Sequence, residues 1–405
     1  MKYVVFLGDG MADLPYSGLD GKTPLEVAKH PNLDKLAKEG YFGLARTVPE
    51  GMPAGSDTAN LSVFGYDPEI YYSGRSPLEA VSLGIDLSPS DVTYRCNTVT
   101  LSEAESIEDA IMVDYSAGEI ESELSKQLIA AAQAKFGSEA LQLYNGVYYR
   151  HCLVMRDAES GGDQTPPHDI TKRPVREFLP KGINSEKLLE IMKWSYKELK
   201  NHPVNIELAK KGKPAANCLW FWGEGRKPAL DTYKDKFGIE RGAVISAVDL
   251  IQGIGRCAGL EVIRVPGATG NYNTDFAAKA QACIDAFKSG AEFVYIHVEA
   301  ADECGHHCQV KEKVWSIEQI DEKIIGPVMK YLESCGEEYV ALAMPDHPTP
   351  LELMTHTPTP VPFALYFSDG RMGKSGAEAY TEANAQKTGV NIEKACSLME
   401  CMTRK

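Results

Sequence analysis

Short apolar runs alternate with amphipathic stretches along this chain, and that alternation constrains the fold more than any other feature. The runs cover residues 3–7, 219–222, 260–265, 293–298, 340–344 and 362–367, each ending close to a polar residue or glycine. A strand buried on both faces reads as a short continuous apolar run. Between the runs, residues 24–39, 243–258, 275–288 and 310–335 carry helical patterns. In the first of these the apolar positions are Leu25, Val27, Ala28, Leu33, Leu36 and Ala37. Strands alternating with helices predict an α/β fold, with a mainly parallel sheet covered on both sides. In such sheets ligands gather at the C-terminal ends of the strands.

The middle of the chain differs. A length of 405 residues suits two or three domains. From about residue 91 to residue 203 the alternation weakens. A strand-pair candidate at 92–100 is followed by an acidic helix at 117–136 and a strand ending in Tyr148-Tyr149-Arg150. The loop at 160–168 is too long and too rich in Gly and Pro for a simple connector. The expected organisation is a discontinuous domain, 1–90 and 215–405, interrupted by a smaller α+β domain at 91–214. The lysines of 210–213 read as a solvated return linker.

Composition narrows the partners. The net charge of −15 disfavours nucleic acid, whose binding needs clustered cations. No stretch approaches the ~18 apolar residues of a membrane span. The apolar run at 3–7 is too short for a signal-peptide core. Ten scattered cysteines suit free thiols in a reducing compartment, so the expected location is the cytoplasm. Cys304 and Cys308 bracket two histidines, but no second cysteine pair follows to complete a structural zinc site. No feature sets an oligomeric state.

The informative residues follow strands. Asp9 comes after the first run, Asp302 and His306 after the run ending at 298, and Asp346 and His347 after the run ending at 344. His356 lies a little further on. Each alone has a plain alternative, since an Asp after a strand is a common helix cap. Together they bring carboxylates and imidazoles to one edge of one sheet, a donor set for Mn²⁺, Zn²⁺ or mixed divalent sites. Six such groups plus a nucleophile fit two ions better than one, and paired ions clamp attacking and leaving oxygens in phosphoryl transfer.

Ser56 is the nucleophile candidate. It follows Gly55 at the start of a helical turn, where backbone N–H groups face an incoming phosphate. A plain N-cap serine has the same signature. Two other motifs fail. Gly370-Arg-Met-Gly-Lys-Ser375 has Ser368 where a phosphate-binding loop needs Gly, and Gly253-Ile-Gly-Arg-Cys-Ala258 ends a helix rather than following a strand.

Taken with Leu7-Gly-Asp-Gly-Met-Ala-Asp13, Pro53-Ala-Gly-Ser-Asp57, Gly74-Arg-Ser-Pro-Leu-Glu79, Val265-Pro-Gly-Ala-Thr-Gly270, Asp302-Glu-Cys-Gly-His306 and Pro345-Asp-His347, these residues carry a resemblance. Nearly end to end, the chain resembles the archaeal-type cofactor-independent (2,3-bisphosphoglycerate-independent) phosphoglycerate mutases of the alkaline phosphatase superfamily. The resemblance implies an alkaline-phosphatase-like α/β/α sandwich with an inserted substrate-binding domain whose closure excludes water. It implies an isomerase that interconverts 3- and 2-phosphoglycerate through a phosphoserine, with two divalent ions and no bisphosphoglycerate. Mn²⁺ is the first expectation, with Mg²⁺, Zn²⁺ and Co²⁺ as alternatives.

By position, Asp9, Ser56, Asp346 and His347 match the ligands of one ion, and Ser56 the phosphorylated nucleophile. Asp302, His306 and His356 match the ligands of the other. His168 is similar to the inserted domain's substrate-contacting histidine. Arg150 and Arg75 suit clamps on phosphate or carboxylate, or else surface ion pairs. Lys279 resembles a lysine near the family's site. Asn60 suits a substrate oxygen or a turn cap, and Asp57 stands beside the nucleophile. Residues 71–77 and 112–118 also resemble a branch proposed to be homoserine kinases, which would use the same metal-and-serine machinery to move phosphate from ATP to homoserine.

Overall fold

A computed structural model describes residues 1–404. The chain forms two compact units, Met1–Tyr72 with Leu230–Lys405, and Ser73–Ala229. In chain order the strands are β1 Lys2–Gly8, β2 Tyr41–Ala45, β3 Val92–Leu101, β4 Met112–Asp114, β5 Leu141–Tyr144, β6 Arg150–Met155 and β7 Cys218–Arg226. They continue with β8 Gly242–Ile245, β9 Glu261–Ile263, β10 Phe293–Val298, β11 Tyr339–Met344, β12 Val361–Phe367 and β13 Asn391–Ile392.

The first unit holds an eight-stranded sheet in the order β13-β2-β12-β11-β1-β10-β8-β9. Around β1 the strands are parallel, with Leu7 opposite both His297 of β10 and Met344 of β11. Strands β8 and β9 extend the parallel part. On the other side β12 is antiparallel to both β11 and β2. Every residue of β1, β10 and β11 is buried, which is why these strands read as unbroken apolar runs. On one face Val4, Phe6, Ile296 and Ala343 pack with Leu33, Phe276 and Ile324 from helical segments. On the other, Phe64 stacks on Tyr295 with centroids 4.0 Å apart, and Tyr233 packs on Phe293. The unit is therefore a three-layer α/β/α sandwich, and β1, β10 and β11 end together at one edge.

The second unit is α+β, with β3 antiparallel to β4, β6 and β7, and β5 antiparallel to β6. Helices Ser122–Phe136, Ser185–Glu198 and Pro203–Lys210 accompany this sheet. Its core includes Tyr94, Leu128, Leu153, Leu188 and Trp220.

Several elements differ from the sequence reading. The run at 219–222 belongs to β7 of the second sheet rather than to the parallel one. An apolar run reports burial on both faces, not which sheet supplies the neighbours. The strand-pair candidate at 92–100 is one long strand. The helical pattern at 243–258 opens as β8 and becomes helix only over Asp249–Cys257. The stretch 310–335 is broken by a π-helical segment, Ile320–Ile325, between Val310–Gln319 and Gly326–Ser334. The second unit starts at Ser73, ahead of the expected residue 91. Helix Ser76–Ser82 belongs with it, since Ser76 Oγ donates to the carbonyl of Thr93 on β3 at 3.0 Å. Among the described residues no helix is long and apolar enough to cross a membrane. None of the ten cysteines forms a disulfide among the described residues.

Candidate active site

The first unit delivers its polar groups from the ends of its central strands. Asp9 follows β1 directly, and its N–H donates to the carbonyl of Val298 at the end of β10 at 2.9 Å. Helix Ala300–His306 starts just after β10 and carries Asp302 and His306 one turn apart on one face. Asp346 and His347 follow β11 and are wholly buried. Helix Ser56–Val63 contributes Ser56 at its first position, after the extended Gly55.

These groups fall into two knots. His347 Nε2 lies 3.1 Å from Ser56 Oγ, 3.4 Å from Asp346 Oδ2 and 3.7 Å from Asp9 Oδ1. His306 Nε2 lies 2.8 Å from His356 Nε2 and 3.3 Å from Asp302 Oδ2, and His356 Nε2 is 3.4 Å from Asp302 Oδ1. Thr349 joins the knots, because its hydroxyl donates to Asp302 and lies 3.3 Å from His347 Nδ1.

Electrostatics favour a cation here. Asp9 Oδ1 is buried and has no hydrogen-bond partner. Burial, with the nearby charges of Asp346, Asp302 and Glu299, pushes the Asp9 carboxyl well above its usual range. Asp302 goes the other way: its bonds to His306 and His356 outweigh burial and hold it well below. Its partner His306 is raised to about 9, chiefly by that bond. Two imidazole Nε2 atoms at 2.8 Å need a proton or a metal ion between them. Carboxylate and imidazole oxygens and nitrogens at this spacing fit divalent ions. Asp302, His347 and His356 converge within 4.8 Å, as do Asp9, His297 and Asp346, and Asp9, Glu299 and Asp302.

Other expected site residues sit differently. Asn60 is fully buried rather than open to a ligand. Its amide nitrogen donates to the Ser56 carbonyl at 2.9 Å and to Asp346 Oδ2 at 2.8 Å, and its oxygen accepts from Tyr295 at 2.8 Å. Lys279 is also fully buried, and Nζ donates to the carbonyl of His297 at 3.0 Å. Burial lowers its pKa to about 8. Asp57 Oδ2 accepts from the Tyr72 hydroxyl at 2.8 Å, so it braces the turn beside Ser56.

In the second unit, Arg75, Arg150 and His168 share a cationic cluster with Arg95. Arg75 Nε and Arg95 Nε lie 2.9 Å and 3.0 Å from the two carboxylate oxygens of Glu79. The Arg95 guanidinium stacks over Trp222, 4.2 Å from its centroid. Burial, with the charges of Arg75 and Arg150, lowers the Arg95 pKa to about 10 despite Glu79. The exposed Arg150 lies over Tyr149. The His168 ring packs edge-on against Trp222 and Tyr115, and burial with Arg95 and Arg75 lowers its pKa.

Arg95, His297, Glu299 and Thr349 were not singled out from sequence. A signal existed for two of them. Arg95 and His297 are polar residues within apolar strands, and such groups need partners when buried.

A parallel sheet that gathers buried carboxylates, imidazoles and one serine at its strand ends defines the class of metal-dependent phosphoryl-transfer enzymes. Comparison with known proteins gives the family. The sequence pattern of "2,3-bisphosphoglycerate-independent phosphoglycerate mutase" matches residues 37–205. The chain is 48% identical over 402 residues to the probable mutase of that name from Geobacter sulfurreducens, covering 99% of each chain. It is 44% identical to the Methanosarcina barkeri mutase over the whole of both chains. Among solved structures it is similar to a Pyrococcus horikoshii protein, with TM-score 0.78, 32% identity and coverage of 99% and 96%. It is also similar to the cofactor-independent phosphoglycerate mutase of Thermoplasma acidophilum, with TM-score 0.67, 27% identity and 99% coverage of both chains. The chain belongs to the 2,3-bisphosphoglycerate-independent phosphoglycerate mutase family. The homoserine kinase alternative finds no support among these relatives.

Proposed function

We propose that the chain interconverts 3-phosphoglycerate and 2-phosphoglycerate without bisphosphoglycerate, with Ser56 carrying the phosphoryl group between the two hydroxyls. The observation behind the Ser56 role is its Oγ at 3.1 Å from His347 Nε2, at a helix start and in the same knot as Asp9 and Asp346. A serine hydroxyl is a weak nucleophile until its proton is removed or its pKa lowered. Asp9, Asp346, His347 and Ser56 would hold one divalent ion, and Asp302, His306 and His356 a second, with Mn²⁺ the first choice. When bound, such ions lower the pKa of a hydroxyl and offset the charge that builds on phosphoryl oxygens.

In the forward step Ser56 Oγ forms a bond to phosphorus as the substrate's ester P–O bond breaks in line. The glycerate oxygen keeps the bonding electrons and takes a proton, which balances the one Ser56 loses. The other glycerate hydroxyl then attacks phosphoserine, and Ser56 regains its proton. Asn60 holds Asp346 and the Ser56 carbonyl in register. Within the second unit, Arg75, Arg95 and Arg150 suit an anionic group, since guanidinium pairs bidentately with carboxylate or phosphate. His168, whose pKa is lowered by partial burial and by the charges of Arg95 and Arg75, suits a hydrogen bond to the same anionic group.

The test is direct. Purified protein with Mn²⁺ and 3-phosphoglycerate, free of bisphosphoglycerate, forms 2-phosphoglycerate. Ser56→Ala loses that activity even at Mn²⁺ concentrations that keep its metal sites filled. Full activity in Ser56→Ala would overturn the proposal.

A further inference from the structure

Ser246 and His297 have no part in the steps above, yet they lie at the same sheet edge. Ser246 directly follows β8, and His297 lies on β10. The His297 ring is fully buried. Its Nε2 is 2.9 Å from Asp9 Oδ2 and its Nδ1 is 3.2 Å from Ser246 Oγ. Ser246 Oγ already accepts the N–H of Val248 at 3.0 Å. Its own proton is therefore free to be donated, and His297 Nδ1 is an acceptor within reach. A neutral imidazole that accepts at Nδ1 carries its proton on Nε2. That proton points at Asp9 Oδ2. The other tautomer would set a nitrogen lone pair against a carboxylate oxygen in a dry interior.

The two oxygens of Asp9 are thereby unlike. Oδ2 has His297, while Oδ1 is buried without a partner and lies 3.7 Å from His347 Nε2. Both relay residues are anchored through their backbones. Lys279 Nζ holds the His297 carbonyl at 3.0 Å, and Gln252 Nε2 holds the Ser246 carbonyl at 2.9 Å.

We propose that Ser246 and His297 form a hydrogen-bond relay from β8 across β10 to β1 that fixes the rotation of Asp9 and presents Oδ1 to the cation. Both are positioning residues, and the proposal rests on the reading that Asp9 is a ligand. Partners of ligating groups set their orientation and basicity, and their loss costs about 10- to 100-fold in metal affinity.

The experiment is Mn²⁺ titration of the full chain by calorimetry, with stoichiometry, for wild type, His297→Ala, His297→Gln and Ser246→Ala, alongside the melting temperature of each metal-free protein. The relay predicts unchanged stoichiometry in every variant and an affinity loss of about 10- to 100-fold in His297→Ala. Ser246→Ala loses less, in the same direction. His297→Gln recovers most of the affinity, because its amide can donate to Asp9. Loss of one bound ion in both His297 variants would make His297 a ligand and overturn the relay. Wild-type affinity in Ser246→Ala and His297→Ala, with only the melting temperature lowered, would overturn it as well. If His297→Ala fails to fold, Ser246→Ala alone decides, by weakened or unchanged affinity. Failure of the underlying reading looks different: wild type itself would bind no Mn²⁺.

Discussion

The side-chain amide of Asn60 donates to Asp346 Oδ2 at 2.8 Å. The same nitrogen reaches the Ser56 carbonyl, so one buried amide couples a carboxylate after β11 to the helix that starts with the nucleophile. Asn60→Ala leaves buried Asp346 Oδ2 without this donor, which costs about 1–3 kcal/mol. The expected kinetic result is a fall in kcat larger than any rise in KM, because Asn60 lies behind the reacting groups. Steady-state assays of Asn60→Ala check this. A change confined to KM would mean direct substrate contact.

Metal removal should act on stability as well as on rate. Asp9, Asp302, Asp346 and Glu299 crowd negative charge at one edge, and burial together with that charge pushes the Asp9 carboxyl upward. Chelation is expected to abolish activity and lower the melting temperature, with both restored by Mn²⁺. At a free concentration of one hundred times Kd a bound ion adds about 2.7 kcal/mol. Thermal scans with and without chelator give the answer, and an unchanged melting temperature would count against a folded-state metal site.

Behind the site, Lys313 Nζ donates to Asp13 Oδ2 and to the Thr349 carbonyl, each at 2.7 Å, with both charged side chains buried. Lys313→Met would strand the Asp13 carboxylate, at a cost of about 3–5 kcal/mol. Denaturant unfolding measures this. A loss below ~1 kcal/mol would show that Asp13 is well served by its remaining donors, the N–H groups of Leu14 and Leu351.

His151 in the second unit gives a pH signature. Burial lowers its pKa to about 3, and its Nε2 has no partner. The folded state therefore binds this proton less readily than the unfolded chain does. Stability is full above the unfolded value near ~6.5 and falls as pH drops below it, by up to about 1.4 kcal/mol per pH unit for this one group. His151→Leu should flatten the slope of stability between about pH 7 and pH 5. An unaltered slope would remove His151 as its source.

Much of the site was legible because polar residues that interrupt or follow apolar runs are conspicuous. Asp9, Asp346 and His347 stand directly after strands buried on both faces, and the runs themselves mark β1, β10 and β11. Pairing was not legible. Residues 219–222 and 340–344 look alike as runs, but β7 joins an antiparallel sheet and β11 a mainly parallel one. The expected roles of Asn60 and Lys279 illustrate a second limit. Sequence proximity to a motif says nothing about exposure, and both side chains are spent on protein partners inside the fold. His297 also interrupts an apolar run, but its place inside the strand gives no sign of which partners it meets.

In the proposed reaction Ser56 is the residue that carries the phosphoryl group. Rapid acid quench of the Mn²⁺-loaded enzyme during turnover of 2-phosphoglycerate, followed by mass spectrometry of its peptides, tests it most directly. The expected result is a phosphoryl group on Ser56 that is absent without substrate and absent in Ser56→Ala. Continued turnover with phosphate on another residue, or on none, would contradict it.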